Sequence, residues 1–245
     1  LAGEGITTVA AVGYGPDDLV APVADALLGA DADVRVAEFL RAEDGLYWSY
    51  VCTDPGCCPP EGTPYAGDSA AAAVAAAAFA GAQVLGSREE LAASIAPDLD
   101  AAPAMRRATR QAERLLADLT GQARAADPLT ASRMIAGPGL ETARKAIARY
   151  RDGAGPLPRA AAARLTVALG NLRVRDDAWA RMDPAHRAAH LRLWTDVTRL
   201  AQPGYVAAPA TLLAFCAWQD GDGALAALAL DRALADHPGY SMAHL

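Results

Sequence analysis

The feature that most constrains the fold is a change of residue types near Ser69. Before it, short runs of β-branched and aromatic residues alternate with glycine, which is typical of strands. After it, alanine-rich segments repeat larger apolar residues at helical spacing, and about a quarter of the 245 residues are alanine. The pattern predicts a small N-terminal part that contains strands, followed by an all-α C-terminal part.

The first third of the chain predicts a small mixed sheet. Residues 6–13 are apolar and bounded by glycines, a helical pattern follows, and residues 34–40 again resemble a strand. A strand, a helix and a strand in this order form a βαβ unit with parallel strands. Asp44 and Gly45 are a hairpin signal, so we expect residues 46–52 to return antiparallel. The predicted fold class is α/β or α+β at the N-terminus.

Composition predicts three parts along the chain. Residues 1–68 form a small α/β part with a Cys- and Pro-rich loop, residues 69–152 a helical part that packs on it, and residues 153–245 a C-terminal helical part. The boundary near residue 153 is the sequence GAGPLP, which is typical of a hinge.

The C-terminal part contains a pattern that resembles half of a tetratricopeptide repeat. Its small and helix-ending residues are Gly221, Asp222, Ala226, Ala233, Leu234 and Pro238. Small residues at these positions let two antiparallel helices pack closely, and proline ends the second helix. Since a single copy does not make a solenoid, an ordinary helical hairpin is the alternative.

The charge balance narrows the class of partner. The chain has 22 Lys and Arg against 29 Asp and Glu, a formal charge of −7, which argues against a general nucleic-acid binder or an anionic-membrane binder. The overall charge does not exclude a local basic patch. No apolar run approaches the ~20 residues that span a bilayer, and no secretory signal is present, so we expect a cytoplasmic protein without a membrane segment.

Two motifs resemble functional sites but match them poorly. The sequence GYGPDD lies between a strand and a helix, where phosphates bind, yet it lacks the third glycine of GxGxxG and Asp17 and Asp18 bring negative charge there. His186 and His190 are one helical turn apart without a third ligand, so we interpret them as two exposed histidines. Neither motif indicates a catalytic site, which favours a protein that is not an enzyme.

The thiols Cys52, Cys57 and Cys58 form an unusual C-x4-C-C pattern in a loop rich in proline. Three interpretations are open: structural thiols, a redox-sensitive disulfide, or a metal site. Because adjacent Cys57 and Cys58 are expected to point apart, we predict no stoichiometric metal and no cofactor. The fourth thiol, Cys216, is predicted to be a buried small hydrophobe on a helix.

Two groups of residues are candidate sites. One lies at the strand ends and in the loop, as a ligand or interaction site: Tyr14, Gly15, Tyr47, Trp48, Tyr50, Cys52, Cys57, Cys58 and Glu61. The other is a partner-facing surface on the C-terminal hairpin: Trp218, Gly221, Asp222 and Tyr240. We expect the Trp218 indole to be buried among small residues, so that its replacement by alanine costs roughly 3–5 kcal/mol.

Two stretches together resemble a known family. They are GLYWSY with CTDPGCCPPEGTP in residues 45–64, and the segment from Ala217 to Ala243 that contains Trp218. Both are similar to the actinobacterial domain-of-unknown-function family 4192. The resemblance implies a cytoplasmic actinobacterial protein and a further α/β segment ahead of Leu1. It implies no activity, substrate or catalytic residue.

Two functions follow as hypotheses. The first is a non-enzymatic interaction or assembly module whose helical part presents a groove to a protein partner, and a homo-oligomer is compatible with it. The second is an enzyme or small-molecule binder with its site at the carboxyl ends of the strands, where ligands bind in open α/β sheets.

Overall fold

The computed structural model describes residues 7–30, 34–65 and 87–244. The chain divides into two compact units, Leu1–Val84 and Leu85–Leu245. The predicted helical segment from residue 69 to 86 lies outside the described residues, as does the start of the first predicted strand. The predicted boundary at residue 153 falls inside the second unit.

The first unit contains the predicted βαβ arrangement. Strand β1 (Thr8–Tyr14) and strand β2 (Arg35–Glu43) pair in parallel, and helix α1 (Asp17–Leu28) lies between them in the chain. The chain turns from β1 into α1 at Gly15, whose φ is +129° and whose amide donates to the carbonyl of Ala42 at 3.1 Å. Glycine suits this turn because a side chain disfavours positive φ. The turn therefore joins the ends of both parallel strands.

The predicted hairpin is also present. Asp44 and Gly45 have φ values of 48° and 83°, as a two-residue turn between twisted strands requires, and strand β3 (Leu46–Ser49) returns antiparallel to β2. A short strand β4 (Thr63–Pro64) then pairs antiparallel with β3 and completes a sheet of order β1-β2-β3-β4. The sequence predicted only loop at β4. The chain can pair there because Gly62, with φ of +89°, turns it back along β3.

The core of the first unit is small. Val20 and Ala24 of α1 are buried against Phe39 of β2, and the Phe39 and Tyr50 rings pack edge to face with centroids 5.7 Å apart. Several larger apolar side chains of this unit stay exposed, among them Leu19 and Val23 of α1.

The second unit is helical throughout its described residues, which confirms the predicted fold class. Its α-helices are α2 (Arg88–Ser94), α3 (Ala102–Ala123), α4 (Pro128–Arg151), α5 (Arg159–Ala168), α6 (Leu172–Ala180), α7 (Arg187–Leu200), α8 (Ala207–Gln219) and α9 (Gly223–Asp236). Single 3₁₀ turns span Pro184–His186 and Ser241–His244.

Local signals set several of these helix starts. Ser87 caps α2 by accepting a hydrogen bond on its hydroxyl from the amide of Glu90 at 3.2 Å, the pairing that a Ser-x-x-Glu sequence favours at a helix start. Asp127 caps α4 by accepting from the amide of Thr130 at 3.1 Å, and Pro128 occupies the first helical position. Each cap satisfies backbone donors that the helix itself leaves free.

Helix α8 takes its N-terminal cap from another helix. The carboxylate of Asp236, at the end of α9, accepts hydrogen bonds from the amides of Gly204 at 2.7 Å, Val206 at 2.9 Å and Ala207 at 3.1 Å. The negative charge also lies at the positive end of the α8 dipole. Asp236 therefore fixes the hairpin of α8 and α9 at the end opposite to its turn.

The main core surrounds α7 and α8. Trp194, Leu193 and Val197 of α7 are fully buried with Leu212 and Leu213 of α8. Helices α8 and α9 pack against each other, and many of their buried residues are alanines: Ala210, Ala214, Ala217, Ala226, Ala229 and Ala233. Small side chains allow such an approach, as the pattern of small residues in this segment predicted.

Helix α4 contains a proline in its middle. Pro138 has no amide proton, so the carbonyl one turn earlier loses its helical partner. Next to it, Gly139 packs closely on α5 and α6: a Cβ there would lie 2.9 Å from Val174 Cγ2 and 3.0 Å from Ala168 Cβ. The glycine is required for this contact between helices.

No helix in the described part of the chain is long and apolar enough to cross a membrane.

Asp177 of α6 is the acceptor for two arginines. Arg144 of α4 donates to both of its oxygens, at 2.7 and 3.1 Å, and Arg181 donates at 2.7 Å. The hydrogen bond from Arg144, followed by that from Arg181, lowers the pKa of Asp177 to about 2. The ionised carboxylate therefore ties α4 to α6.

The ion pairs of Asp177 predict that the free energy of unfolding depends on pH. The pKa of Asp177 is lower in the folded protein than its ordinary 3.8. The ionised carboxylate therefore stabilises the folded state fully above pH 3.8, and this stabilisation is lost as the pH falls toward about 2. Since both arginines are about half-exposed, we expect Asp177→Asn to cost about 1–2 kcal/mol at pH 7. Urea unfolding at pH 7 and near pH 2 measures this. Equal costs at both pH values would contradict it, and Asp118→Asn is the control.

Candidate functional site

The Cys- and Pro-rich loop between β3 and β4 is held at its base by Trp48. The indole Nε1 donates to the carbonyl of Pro60 at 3.1 Å, and the Arg41 guanidinium lies 3.8 Å from the centre of the indole ring. Gly62 closes the loop against the same ring, where a Cβ would lie 2.6 Å from the indole. The loop therefore needs both a tryptophan and a glycine at its end.

The start of the loop is fixed by Ser49. Its hydroxyl donates to Oε1 of Glu38 at 2.7 Å and accepts from the amides of Val51 at 3.0 Å and Cys52 at 2.8 Å. The hydroxyl thus connects strand β2 to the backbone of Cys52.

The middle of the loop is a tight turn at Asp54. Its carbonyl accepts from the amides of Cys57 at 3.0 Å and Cys58 at 2.7 Å, and its carboxylate accepts from the amide of Gly56 at 2.9 Å. These bonds fold the backbone of Cys57 and Cys58 back toward Cys52.

The turn brings the three thiols together. The Sγ atoms of Cys52, Cys57 and Cys58 all lie within 4.8 Å of one another, with Cys57 exposed and the other two half-buried. The sequence-based expectation that Cys57 and Cys58 point apart is therefore wrong. That expectation assumed an extended loop, whereas both residues follow a turn that directs them to one side.

The pKa values of the Cys52 and Cys58 thiols are shifted in opposite directions. A hydrogen bond from the backbone of Asp54, followed by one from the Cys58 thiol, lowers the pKa of Cys52. The bond to Cys52 in turn raises the pKa of Cys58 to about 12. Of Cys52 and Cys58, Cys52 is thus the one at which a thiolate forms first.

The strand-end candidates divide between two places. Trp48, Cys52 and the other thiols lie at β3 and its loop, whereas Tyr14 and Gly15 end β1, on the far side of β2. Tyr14 is 77% exposed.

The remaining strand-end candidates have different surroundings. Tyr50 donates to Oδ1 of Asp17 at 2.8 Å, and burial followed by this bond raises the pKa of Tyr50 to about 12. Tyr47 is half-buried in β3, and Glu61 is exposed in the loop. Asp17, which the sequence placed in the GYGPDD motif, also lies 3.6 Å from the Arg41 guanidinium.

The candidate hairpin residues have unequal roles. Trp218 is 67% exposed, so the expectation of a buried indole is wrong. Asp222 caps α9 by accepting from the amide of Leu225 at 2.8 Å, and Gly221 forms the turn with φ of +83°. Tyr240 is half-buried beside Arg175. The Trp218 ring lies beside the ring of Phe215, with centroids 6.0 Å apart, and most of its surface is exposed.

The two predicted histidines are not both exposed. His190 is 2% exposed in α7, and burial lowers its pKa, so the interpretation as an exposed residue is wrong. His186 Nδ1 lies 2.8 Å from the Asp183 carboxylate. Among the described residues, the histidines do not belong to any cluster of three or more metal-ligating side chains. In contrast, Cys216 is buried as predicted, and burial raises its pKa to about 12.

The helical unit contains an apolar groove that the sequence did not reveal. It has a volume of about 680 Å³ and lies between α3, α4, α5 and the start of α6. Its apolar lining includes Leu115, Leu116, Leu119, Ile135, Pro138 and Val167. Arg164 is at its edge, and a smaller recess beside it is lined by Leu116, Val167 and Arg124.

The helices around this groove carry an excess of positive charge. Residues 102–168 contain 12 Arg and Lys against 5 Asp and Glu, a formal charge of +7 in a chain whose total is −7. Eight of these arginines are exposed and make no ion pair with another described residue: Arg106, Arg107, Arg110, Arg114, Arg124, Arg133, Arg159 and Arg164. Glu113, in the recess, is bound by the Tyr205 hydroxyl at 2.7 Å.

Comparison with known proteins gives one match. A family model described as Domain of unknown function (DUF4192) matches residues 1–245. No curated protein and no solved structure matches the chain.

Proposed function

The chain belongs to the DUF4192 family of domains of unknown function, and we propose from its own geometry that it is a protein-interaction module that binds an acidic, amphipathic segment of a partner protein. The single observation that carries the proposal is the apolar groove of the helical unit, with Arg164 at its edge and further exposed arginines on the helices that form it. The partner segment would place its apolar face in the groove and its acidic residues on the arginines.

The lining of the groove suits an apolar helix face. Leu115 is 47% exposed beside Leu116 and Leu119, so three leucines of α3 offer apolar surface to one side of the groove. Exposed apolar residues that adjoin each other in this way are typical of interaction sites. Burying them against a partner is favourable by about 25 cal/mol per Å² of apolar surface.

The arginines favour a macromolecular partner over a small molecule. They are spread over three helices and lie outside as well as at the edge of the groove, so one small ligand cannot reach them all. Arginine forms bidentate hydrogen bonds with carboxylates, which makes an acidic protein segment a matching partner. Because the groove between them is apolar, we favour a protein over a nucleic acid.

Four other predictions from the sequence are compatible with this proposal. An actinobacterial source, a cytoplasmic location, a tetratricopeptide-like C-terminal hairpin and a homo-oligomer are each compatible with an interaction module. Trp218 offers a second contact surface, because exposed tryptophans are frequent at the centres of protein interfaces.

Peptide display on the full chain tests the proposed function. We expect selection from a random library of about 16 residues, or roughly four helical turns, to enrich Asp and Glu together with apolar residues at helical spacing. Fluorescence anisotropy of a selected peptide then measures binding. We expect Leu115→Glu to weaken it at least about tenfold, since a charge then enters the apolar contact.

Leu129→Glu is the matched control, because Leu129 is 57% exposed on α4 and does not line the groove. It should leave binding within about twofold of the unchanged chain. Selected peptides that are neutral or basic, or that bind the Leu115→Glu chain equally well, would contradict the proposal. Tighter binding of random duplex DNA that ignores Leu115→Glu would assign the arginines to nucleic acid instead.

A further inference from the structure

We infer that Cys52, Cys57 and Cys58 form a three-thiolate site for a thiophilic metal cation, copper(I) or zinc. The observation is the convergence of three sulfur atoms within 4.8 Å of one another in a loop whose backbone is fixed at both ends. This replaces the prediction of no metal, which depended on Cys57 and Cys58 pointing apart. The site lies in the first unit and is independent of the groove.

The sulfur spacing is close to what one metal ion requires. A zinc–sulfur bond of about 2.3 Å with tetrahedral angles places two sulfur atoms about 3.8 Å apart. The three sulfurs lie within 4.8 Å, so rotations of the side chains suffice to bring them to that spacing. The backbone does not need to move.

The backbone of the loop is fixed by hydrogen bonds that do not involve the sulfur atoms. Ser49 positions Cys52, and the carbonyl of Asp54 positions both Cys57 and Cys58. A site whose ligands are already in place pays little ordering entropy when the ion binds. The turn at Asp54 therefore acts as a preformed frame for three sulfur ligands.

The donor set selects the class of ion. Thiolates are soft ligands that favour copper(I) and zinc over magnesium, calcium or manganese. Among the described residues, the cluster contains three sulfurs and no histidine nitrogen or carboxylate oxygen. Three thiolates complete a trigonal copper(I) site, whereas zinc would keep a fourth position for water, as catalytic zinc sites do.

A disulfide is the competing chemistry. All three thiols are free, and one disulfide would use only two of them. A disulfide leaves the third sulfur without a role, whereas a metal ion uses all three. We therefore favour an ion over a disulfide.

Metal titration of the full chain, reduced and kept without oxygen, tests the inference. Zinc is added in competition with a chromophoric zinc chelator, and copper(I) in competition with bicinchoninate. We expect one equivalent of at least one of the two ions, and the tighter ion identifies the site. We expect Cys52→Ser, Cys57→Ser and Cys58→Ser each to weaken binding at least about tenfold.

Cys216→Ala is the control, because this thiol is buried in the helical unit. It should leave the stoichiometry and affinity unchanged. Cobalt(II) gives a second readout, since thiolate ligands produce a charge-transfer band that the three serine variants should lose. A stoichiometry below one equivalent for both ions would overturn the inference. So would metal binding that is unchanged in all three serine variants.

A measurement on the unchanged chain covers the case in which a serine variant fails to fold. We expect bound metal to protect Cys52, Cys57 and Cys58 from alkylation, which peptide mass spectrometry detects. Equal alkylation with and without metal would overturn the inference, as would a disulfide between two of these thiols that added metal does not prevent.

Discussion

Replacing Trp194 by alanine is expected to lower the free energy of unfolding by about 3–5 kcal/mol. Trp194 is 0% exposed in the main helical core, and its indole Nε1 has no hydrogen-bond partner among the described residues. The loss therefore comes from packing, because the surrounding leucines and alanines cannot fill the space of an indole ring. Urea unfolding followed by far-ultraviolet circular dichroism measures it.

Trp218→Ala is the matched control for this prediction. It removes the same side chain from α8 in the same unit, but from an exposed position, so we expect a change below about 1 kcal/mol. The magnitude that the sequence predicted for Trp218 thus belongs to Trp194. Similar losses for both variants would contradict the burial of one and the exposure of the other.

Asp236→Ala is expected to lower the free energy of unfolding by about 2–3 kcal/mol, because it removes a charged acceptor from three backbone amides. The amides of Gly204, Val206 and Ala207 would lose their partner at once, and the positive end of the α8 dipole would lose its counter-charge. The same urea experiment measures the effect.

Asp231→Ala on the same helix is the control, since Asp231 is exposed and makes no helix cap or ion pair within the described part of the chain. We expect it to change stability by less than about 0.5 kcal/mol. If Asp236→Ala costs no more than Asp231→Ala, the three amides find water or another acceptor, and Asp236 does not fix the hairpin.

Much of the fold was predictable because it depends on local signals. Asp44 and Gly45 predict the hairpin since few other residue pairs accept two positive φ values, and Ser87 with Glu90 predicts a helix start. The parallel pairing of β1 with β2 follows from the short helical segment between them. Each of these features is decided by a few neighbouring residues.

The errors concern how side chains are directed in space. Trp218 lies near the end of α8, where its neighbours in sequence are small but the neighbouring helices no longer cover it. His190 is polar by type, yet α7 turns it toward the core. The thiols of Cys57 and Cys58 converge with that of Cys52 because of a turn at Asp54, which the sequence showed only as a loop.

The candidate sites depend on relations between distant segments. The groove is formed by residues from α3 to α6, and no single helix shows it. The excess of arginine is visible in the sequence, but only the helix packing shows that Arg164 lies at the edge of an apolar groove. Composition alone did not exclude a local basic patch, but it did not show where on the molecule such a patch lies.

The proline in α4 makes one wall of the groove adjustable. Residues after Pro138, such as Ala143 and Ile147, are buried and anchor the second half of the helix, whereas Leu129 and Arg133 in the first two turns are exposed and Ala136 is the buried residue before the proline. The missing hydrogen bond at Pro138 removes the resistance that a continuous helix offers to bending. We therefore expect the first turns of α4 to bend more easily than the second half, which would change the width of the groove while Ala136 and the hydrogen bond from Arg173 to Ser132 limit the movement.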